Sequence, residues 1–168
     1  MTGYEAGLLS SPFCQMAYVT NNLDAAMALF SEGHEISRFL ELRDYPVQTG
    51  PDRYARLDIA LAYAGGIQIE LIQPLGGDDR IYRQILRDDG RFELHFHHEA
   101  QLARNLAALD WLREKALARG FPISVEGCQG EDVVYFYADC RGTIGHYVEY
   151  IWYSDQAQAQ LGAAIPVN

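Results

Sequence analysis

Two short stretches, IQIELIQ at 67–73 and HYVEYIW at 146–152, each place a glutamate inside an otherwise apolar strand. A buried carboxylate is costly unless it is paired, hydrogen-bonded or bound to a metal. Glu70 and Glu149 therefore restrict the folds open to this 168-residue chain. The segments leading up to them repeat as well. Gln15 precedes Asn22-Leu23 by seven and eight residues, and His98 precedes Asn105-Leu106 by the same steps. Repeats of this kind have to be identified first, because they set the whole architecture.

The first half reads as β-α-β-β-β. Residues 12–20 alternate with a period of two and predict a strand. Asn22 then serves as N-cap for a helix with Leu23, Met27 and Phe30 on one face, ended by Gly33. A strand follows over 35–42, and PVQTGPD reads as a loop. RYARLDIALAYAG and IQIELIQP are strands joined by a turn at Gly65-Gly66. A linker with a short helix near 78–86 leads to the second half. There FELHFHHEA is a strand, Leu102–Gly120 a helix, and FPISVEG, EDVVYFYAD and GHYVEYIW three more strands. The fold class is thus α+β, with a first βαβββ module over 1–76, a linker over 77–91, a second module over 92–153 and a tail over 154–168. The tail has no strong period and is expected to fray or to pack on a neighbour.

Composition narrows the function classes. The formal net charge of −10 repels a phosphate backbone, so nucleic acid is not an expected partner. Three cysteines at no metal-ligand spacing argue against a disulfide framework. No stretch approaches the length of a membrane span. The N-terminus lacks a basic region followed by a long apolar run, and a cytoplasmic protein is expected.

If the two halves pack with approximate two-fold symmetry, Glu70 and Glu149 face one cavity. Two facing carboxylates repel, and one is driven toward protonation. A divalent cation between them relieves the conflict. Gln15 and His98, each on the first strand of its half, form the second equivalent pair. One imidazole, two carboxylates and an amide oxygen suit zinc, nickel, cobalt, manganese or iron. His95 competes with His98. Strand alternation groups His95 with His97 and Glu99, and 54 residues separate His95 from Glu149, close to the 55 between Gln15 and Glu70. The spacing to Asn105-Leu106 favours His98. Cys14 is expected to turn the other way from Gln15, toward the helix, as a small buried hydrophobe.

The stretches QMAYVTNNLDAAMALF and IQIELIQP, the pair His97-His98 and GHYVEYIW together resemble the vicinal oxygen chelate superfamily. That group includes glyoxalase I, methylmalonyl-CoA epimerase, extradiol dioxygenases and bleomycin-resistance proteins. The resemblance covers roughly residues 12–153 and implies a curved mixed sheet around a central cavity. It implies metal ligands at Gln15, Glu70, His98 and Glu149, with Glu149 moving a proton and Glu70 its partner on the opposite face. A glutamine at the first position is similar to some glyoxalase I enzymes. One departure is that His98 is followed by Glu99, Ala100 and Gln101, where the family carries apolar residues.

The activity this implies is that of a lyase or isomerase. It would abstract a proton beside a carbonyl of a small oxygenated substrate while a divalent metal ion holds the enolate oxygen. A non-catalytic binding or resistance protein of the same fold is the alternative. An extradiol-type dioxygenase ranks lower, because Gln15 stands where that chemistry needs an imidazole. A homodimer is the expected assembly, and the site is expected to close either within one chain or across that dimer.

Overall fold

A computed structural model describes residues 12–168. Its strands are β1 (Phe13–Thr20), β2 (Leu40–Gly50), β3 (Arg53–Ala64), β4 (Ile67–Gly77), β5 (Leu94–Leu102), β6 (Ile123–Gln129), β7 (Val133–Asp139) and β8 (Tyr147–Tyr153). The helices are α1 (Leu23–His34), α2 (Arg80–Arg83), α3 (Leu106–Ala118), α4 (Arg141–Ile144) and α5 (Asp155–Ala164). All eight strands form one mixed sheet in the order β2-β3-β4-β1-β5-β8-β7-β6. The order is a palindrome of two βαβββ modules, joined where β1 and β5 pair antiparallel.

The long helices start where their capping residues predict. Asn22 accepts a hydrogen bond from the Ala25 amide at 3.0 Å, and Asn105 one from Ala108 at 2.8 Å. Each helix lays its apolar face on the outside of the sheet. Leu23, Ala26 and Phe30 pack on Ala60, Ile69 and Leu71, while Leu109, Leu112 and Ala116 pack on Phe136, Val148 and Tyr150. A third cluster fills the concave side, from Val47 and Leu57 across to Tyr137 and Ile151.

The sheet curls until its two edges meet. Tyr135 donates to the Gln48 carbonyl at 2.7 Å, the Cys128 amide donates to Gln48 Oε1 at 2.9 Å, and Tyr45 donates to Gln129 at 3.0 Å. The approach requires a glycine, because a Cβ on Gly127 would stand 2.5 Å from the Gln48 carbonyl oxygen. Among the described residues, no helix is long and apolar enough to cross a membrane.

Four local expectations are corrected. Helix α1 continues through Gly33, and Glu35 takes the left-handed cap at φ 60°. The second strand begins at Leu40 and runs through PVQTG, so that stretch is not a loop. Pro46 is tolerated there because β2 is an edge strand. Helix α3 starts at Leu106 rather than at Leu102, which ends β5. The tail does not fray: Ser154 caps α5, Ile165 is buried, and the Pro166 carbonyl accepts from the Tyr63 amide at 2.8 Å. It therefore packs on the first module of its own chain. Ser154, Leu161 and Ile165 carry the signal of a capped helix with an i, i+4 apolar pair.

Removing either cap tests this account of the helices. Asn22→Ala and Asn105→Ala should each cost about 1 kcal/mol of unfolding free energy, and the double variant about 2 kcal/mol, since the two sites share no partner. Urea denaturation measures both. Unchanged stability in the single variants would contradict the capping role.

Candidate functional site

Strand register, rather than any loop, assembles the site. One row across the sheet runs Gln68, Gln15, Ala100, Glu149, Tyr137. The adjacent row runs Leu61, Glu70, Ala17, His98, Tyr147. The second row is the first read backwards through the relation between the modules. Gln15 corresponds to His98, Glu70 to Glu149, and Ala17 to Ala100. The rows lie two residues apart along each strand, so their side chains share one face. The two alanines are fully buried and stand between the functional positions, where they leave the space in front of the sheet open.

A pair of β-bulges explains why strand alternation misjudged the histidines. The β1–β5 register shifts once at Cys14, immediately before Gln15, and once at His97, immediately before His98. A bulge sets two residues of one strand against one of the other. The irregularity at 97 puts His98 opposite Ala17 and His95 opposite Val19, on the same face. His95 lies further along, half-exposed, with its ring 3.3 Å from Glu93. The matching irregularity turns Cys14 inward against the concave core. The expectation that Cys14 points toward the helix is therefore corrected. Its thiol lies 3.4 Å from the Ala100 carbonyl, and burial pushes it up to about 12, so it is no nucleophile.

His98 is completely buried. Its Nε2 lies 3.3 Å from a Glu149 oxygen and 3.5 Å from a Glu70 oxygen, yet it makes no well-directed hydrogen bond. Burial opposes a charge on this ring, but the two carboxylates outweigh burial and hold His98 up at about 9. Burial also raises Glu149 above the ordinary carboxylate range, against the opposing pull of His98. Gln15 donates its amide nitrogen to Gln68 Oε1 at 2.7 Å, which leaves its own oxygen available. Sequence reasoning thus brought Gln15, Glu70, His98 and Glu149 to one place, and it set His95 beside them as a rival that the structure puts elsewhere.

Gln15, Glu70 and Glu149 border a cavity of about 240 Å³, and the buried His98 contacts it only through the two carboxylates. Gln15, Gln68, Glu70 and Glu149 form its polar wall. The remaining wall is mostly apolar, including Leu57, Ile59, Val133 and Ile151, with Tyr135 and Tyr137 among the aromatic members. Leu161 and Ile165 of the C-terminal segment also reach the cavity. The sequence reading missed Gln68 and Tyr137 as site residues. Gln68 had a usable signal, since it lies two positions before Glu70 on the same strand. Tyr137 carried no signal that set it apart from Tyr135, Tyr147 and Tyr150 as core or cavity-wall tyrosines.

Among the described residues, no group of three or more His, Cys, Asp or Glu side chains is placed to hold a metal ion as it stands. The carboxylates instead lean on the imidazole. The donor chemistry nevertheless suits a divalent ion, with one imidazole, two carboxylates and one amide oxygen. The buried Nε2 without a hydrogen-bond partner is the atom such an ion would satisfy.

The sequence matches the family model described as Glyoxalase/Bleomycin resistance protein/Dioxygenase superfamily over residues 14–136. Among solved structures, methylmalonyl-CoA epimerase from Mycobacterium tuberculosis is 13% identical with a TM-score of 0.58, covering 94% of this chain and 97% of that one. A hypothetical protein from Bacillus halodurans is 15% identical with a TM-score of 0.57, covering 88% and 98%. A Streptomyces coelicolor methylmalonyl-CoA epimerase variant in complex with 2-nitronate-propionyl-CoA is 11% identical with a TM-score of 0.55, covering 86% and 98%. No curated protein matches the sequence. At these identities the solved structures establish the shared fold alone. The family match spans most of the chain and reaches into the second module, and the chain belongs to the glyoxalase/bleomycin resistance protein/dioxygenase superfamily.

Proposed function

We propose that this protein is a metal-dependent isomerase or lyase that moves a proton beside a carbonyl of a small oxygenated substrate. The observation that carries this reading is the placement of the buried His98 Nε2, without a hydrogen-bond partner, against Glu70 and Glu149, two carboxylates that line a largely apolar cavity. His98, Glu70, Glu149 and the Gln15 amide oxygen would hold the ion. When bound, a divalent ion supplies positive charge that stabilises negative charge developing on a substrate oxygen.

The chain's own residues supply the rest. A Glu149 carboxylate oxygen takes the proton, and burial makes it a stronger base than a carboxylate in water. Tyr137 stands beside Glu149 in the strand register and lines the same cavity. Tyr82 in turn donates to the Tyr137 hydroxyl at 3.5 Å. Glu70, the second carboxylate beside His98 Nε2, would enter the step in its protonated form and return that proton to the opposite face of the substrate carbon, so that one proton is taken and one given. Leu57, Ile59 and Ile151 exclude water from the developing carbanion. The same apolar wall favours a second reading, in which the cavity only binds and sequesters an organic molecule.

Metal content and proton exchange separate the two readings. The isomerase or lyase reading expects uptake of about one equivalent of divalent ion per chain. It also expects deuterium exchange from D2O into the carbon beside the carbonyl of an acyl-CoA or hemithioacetal probe. Glu149→Gln should slow that exchange about 10²- to 10⁴-fold with little change in fold. Binding of probes without exchange, in protein loaded with metal, would favour sequestration.

The pH dependence of stability in metal-stripped protein follows from the same site. His98 is raised in the folded state, so its contribution is fully present below about 6.5 and is lost as pH rises through about 9. The groups facing it are Glu70, Glu149, His97 and Tyr137. The raised Glu149 has the same sign, since the folded state again binds the proton more tightly. Denaturation midpoints should therefore fall between pH 6.5 and 9, and His98→Gln should flatten that slope. An unchanged slope in the variant would contradict a charged His98.

A further inference from the structure

The bulge that turns His98 toward the carboxylates also buries the ring of His97, for which the proposed reaction has no use. His97 Nε2 lies 3.1 Å from the Ile81 carbonyl of α2. A carbonyl only accepts, so the proton on His97 sits at Nε2. His97 Nδ1 is 2.9 Å from His98 Nδ1, a contact that holds a single hydrogen. Placing that hydrogen on His97 would make its ring a buried cation. Its ring neighbours are Tyr82, Tyr137 and Tyr147, with centroids at 5.1, 6.3 and 5.0 Å, and no carboxylate contact to it is found among the described residues. The hydrogen therefore belongs to His98 Nδ1, and His97 accepts it.

We propose that His97 is a positioning residue that fixes the tautomer of His98, through a relay anchored on the Ile81 carbonyl, so that the Nε2 lone pair faces Glu70 and Glu149. The opposite tautomer would set two Nδ1 lone pairs against each other and point an N–H into the place a cation would take. A metal-bound histidine commonly donates its other ring N–H to a carbonyl, carboxylate or water, and this fixes the ligand's orientation and basicity. Here a neutral imidazole fills that role. The relay also ties the linker helix to the site, since Ile81 lies in α2. The metal arm of the proposal rests on the functional reading above, whereas the tautomer arm stands on hydrogen-bond geometry alone.

Two measurements test the proposal. Long-range ¹H–¹⁵N spectra of metal-free protein, taken above pH 9 where His98 is neutral, should show Nδ1–H on His98 and a bare Nε2. In His97→Phe, which keeps a ring but removes the acceptor, both tautomers should appear. Zinc affinity, measured against a competing chelator, should fall about 10- to 100-fold in His97→Phe and recover in His97→Asn, whose amide oxygen can accept from His98. A wild-type His98 with its proton on Nε2 overturns the proposal. So does a His97→Phe protein that keeps a single tautomer and wild-type zinc affinity. A wild-type protein that takes up no zinc but shows the expected tautomer supports the relay while overturning the metal-dependent reading.

Discussion

The antiparallel pairing of β1 with β5 is the contact on which the rest of this structure depends. Among the described residues it is the only strand pair joining the two modules, and it carries the bulges at Cys14 and His97. Gln15 stands opposite Ala100, and His98 opposite Ala17. Each last strand of a module then pairs parallel to its first strand in the same register, with Glu70 beside Ala17 and Glu149 beside Ala100. A one-residue slip in any of these ladders would send a carboxylate to the helix-covered side, where nothing could compensate its burial. The hydrogen-bond register of the sheet is therefore also the specification of the site.

The cost of that specification is a set of ionisable groups inside a hydrophobic core. Glu149, His98 and His97 are all buried beneath tyrosines, leucines and isoleucines. In the metal-free chain, His98 as an imidazolium offsets the two carboxylates, and His97 stays neutral because burial drives it well below its ordinary value. This arrangement is self-consistent and also exchangeable. A divalent ion entering between the carboxylates would displace one proton, from His98 Nε2, and leave every other hydrogen bond of the cluster in place. The apolar cavity wall then keeps bulk water from competing for the same groups.

Much of this was legible in the residues because the repeat doubles each weak signal. A single glutamate in a strand says little, but Glu70 and Glu149 in matching strands point to one shared cavity. Asn22 and Asn105 mark both helix starts, and each predicted cap forms. Between His98 and His95 the two signals disagreed: the spacing to Asn105-Leu106 favoured His98, whereas alternation favoured His95, because a bulge at His97 shifts it and nothing local in LHFHHEA announces it. Cys14 was misplaced for the same reason, through the matching bulge in β1. The closure of the sheet by β2 and β6 depends on Gln48, Tyr135 and Gly127 meeting across 79 to 87 residues of chain, which no local pattern encodes. Gln68 and Tyr137 became site residues only once the register placed them beside Gln15 and Glu149.

The most direct test of the whole account is anomalous diffraction from crystals of the protein loaded with cobalt. The account predicts one anomalous peak at the centre of the cluster, bonded to His98 Nε2, Glu70, Glu149 and the Gln15 amide oxygen, with His98 Nδ1 still donating to His97. Cobalt absent from that position at saturating concentration, with the imidazole still paired to both carboxylates, would contradict it.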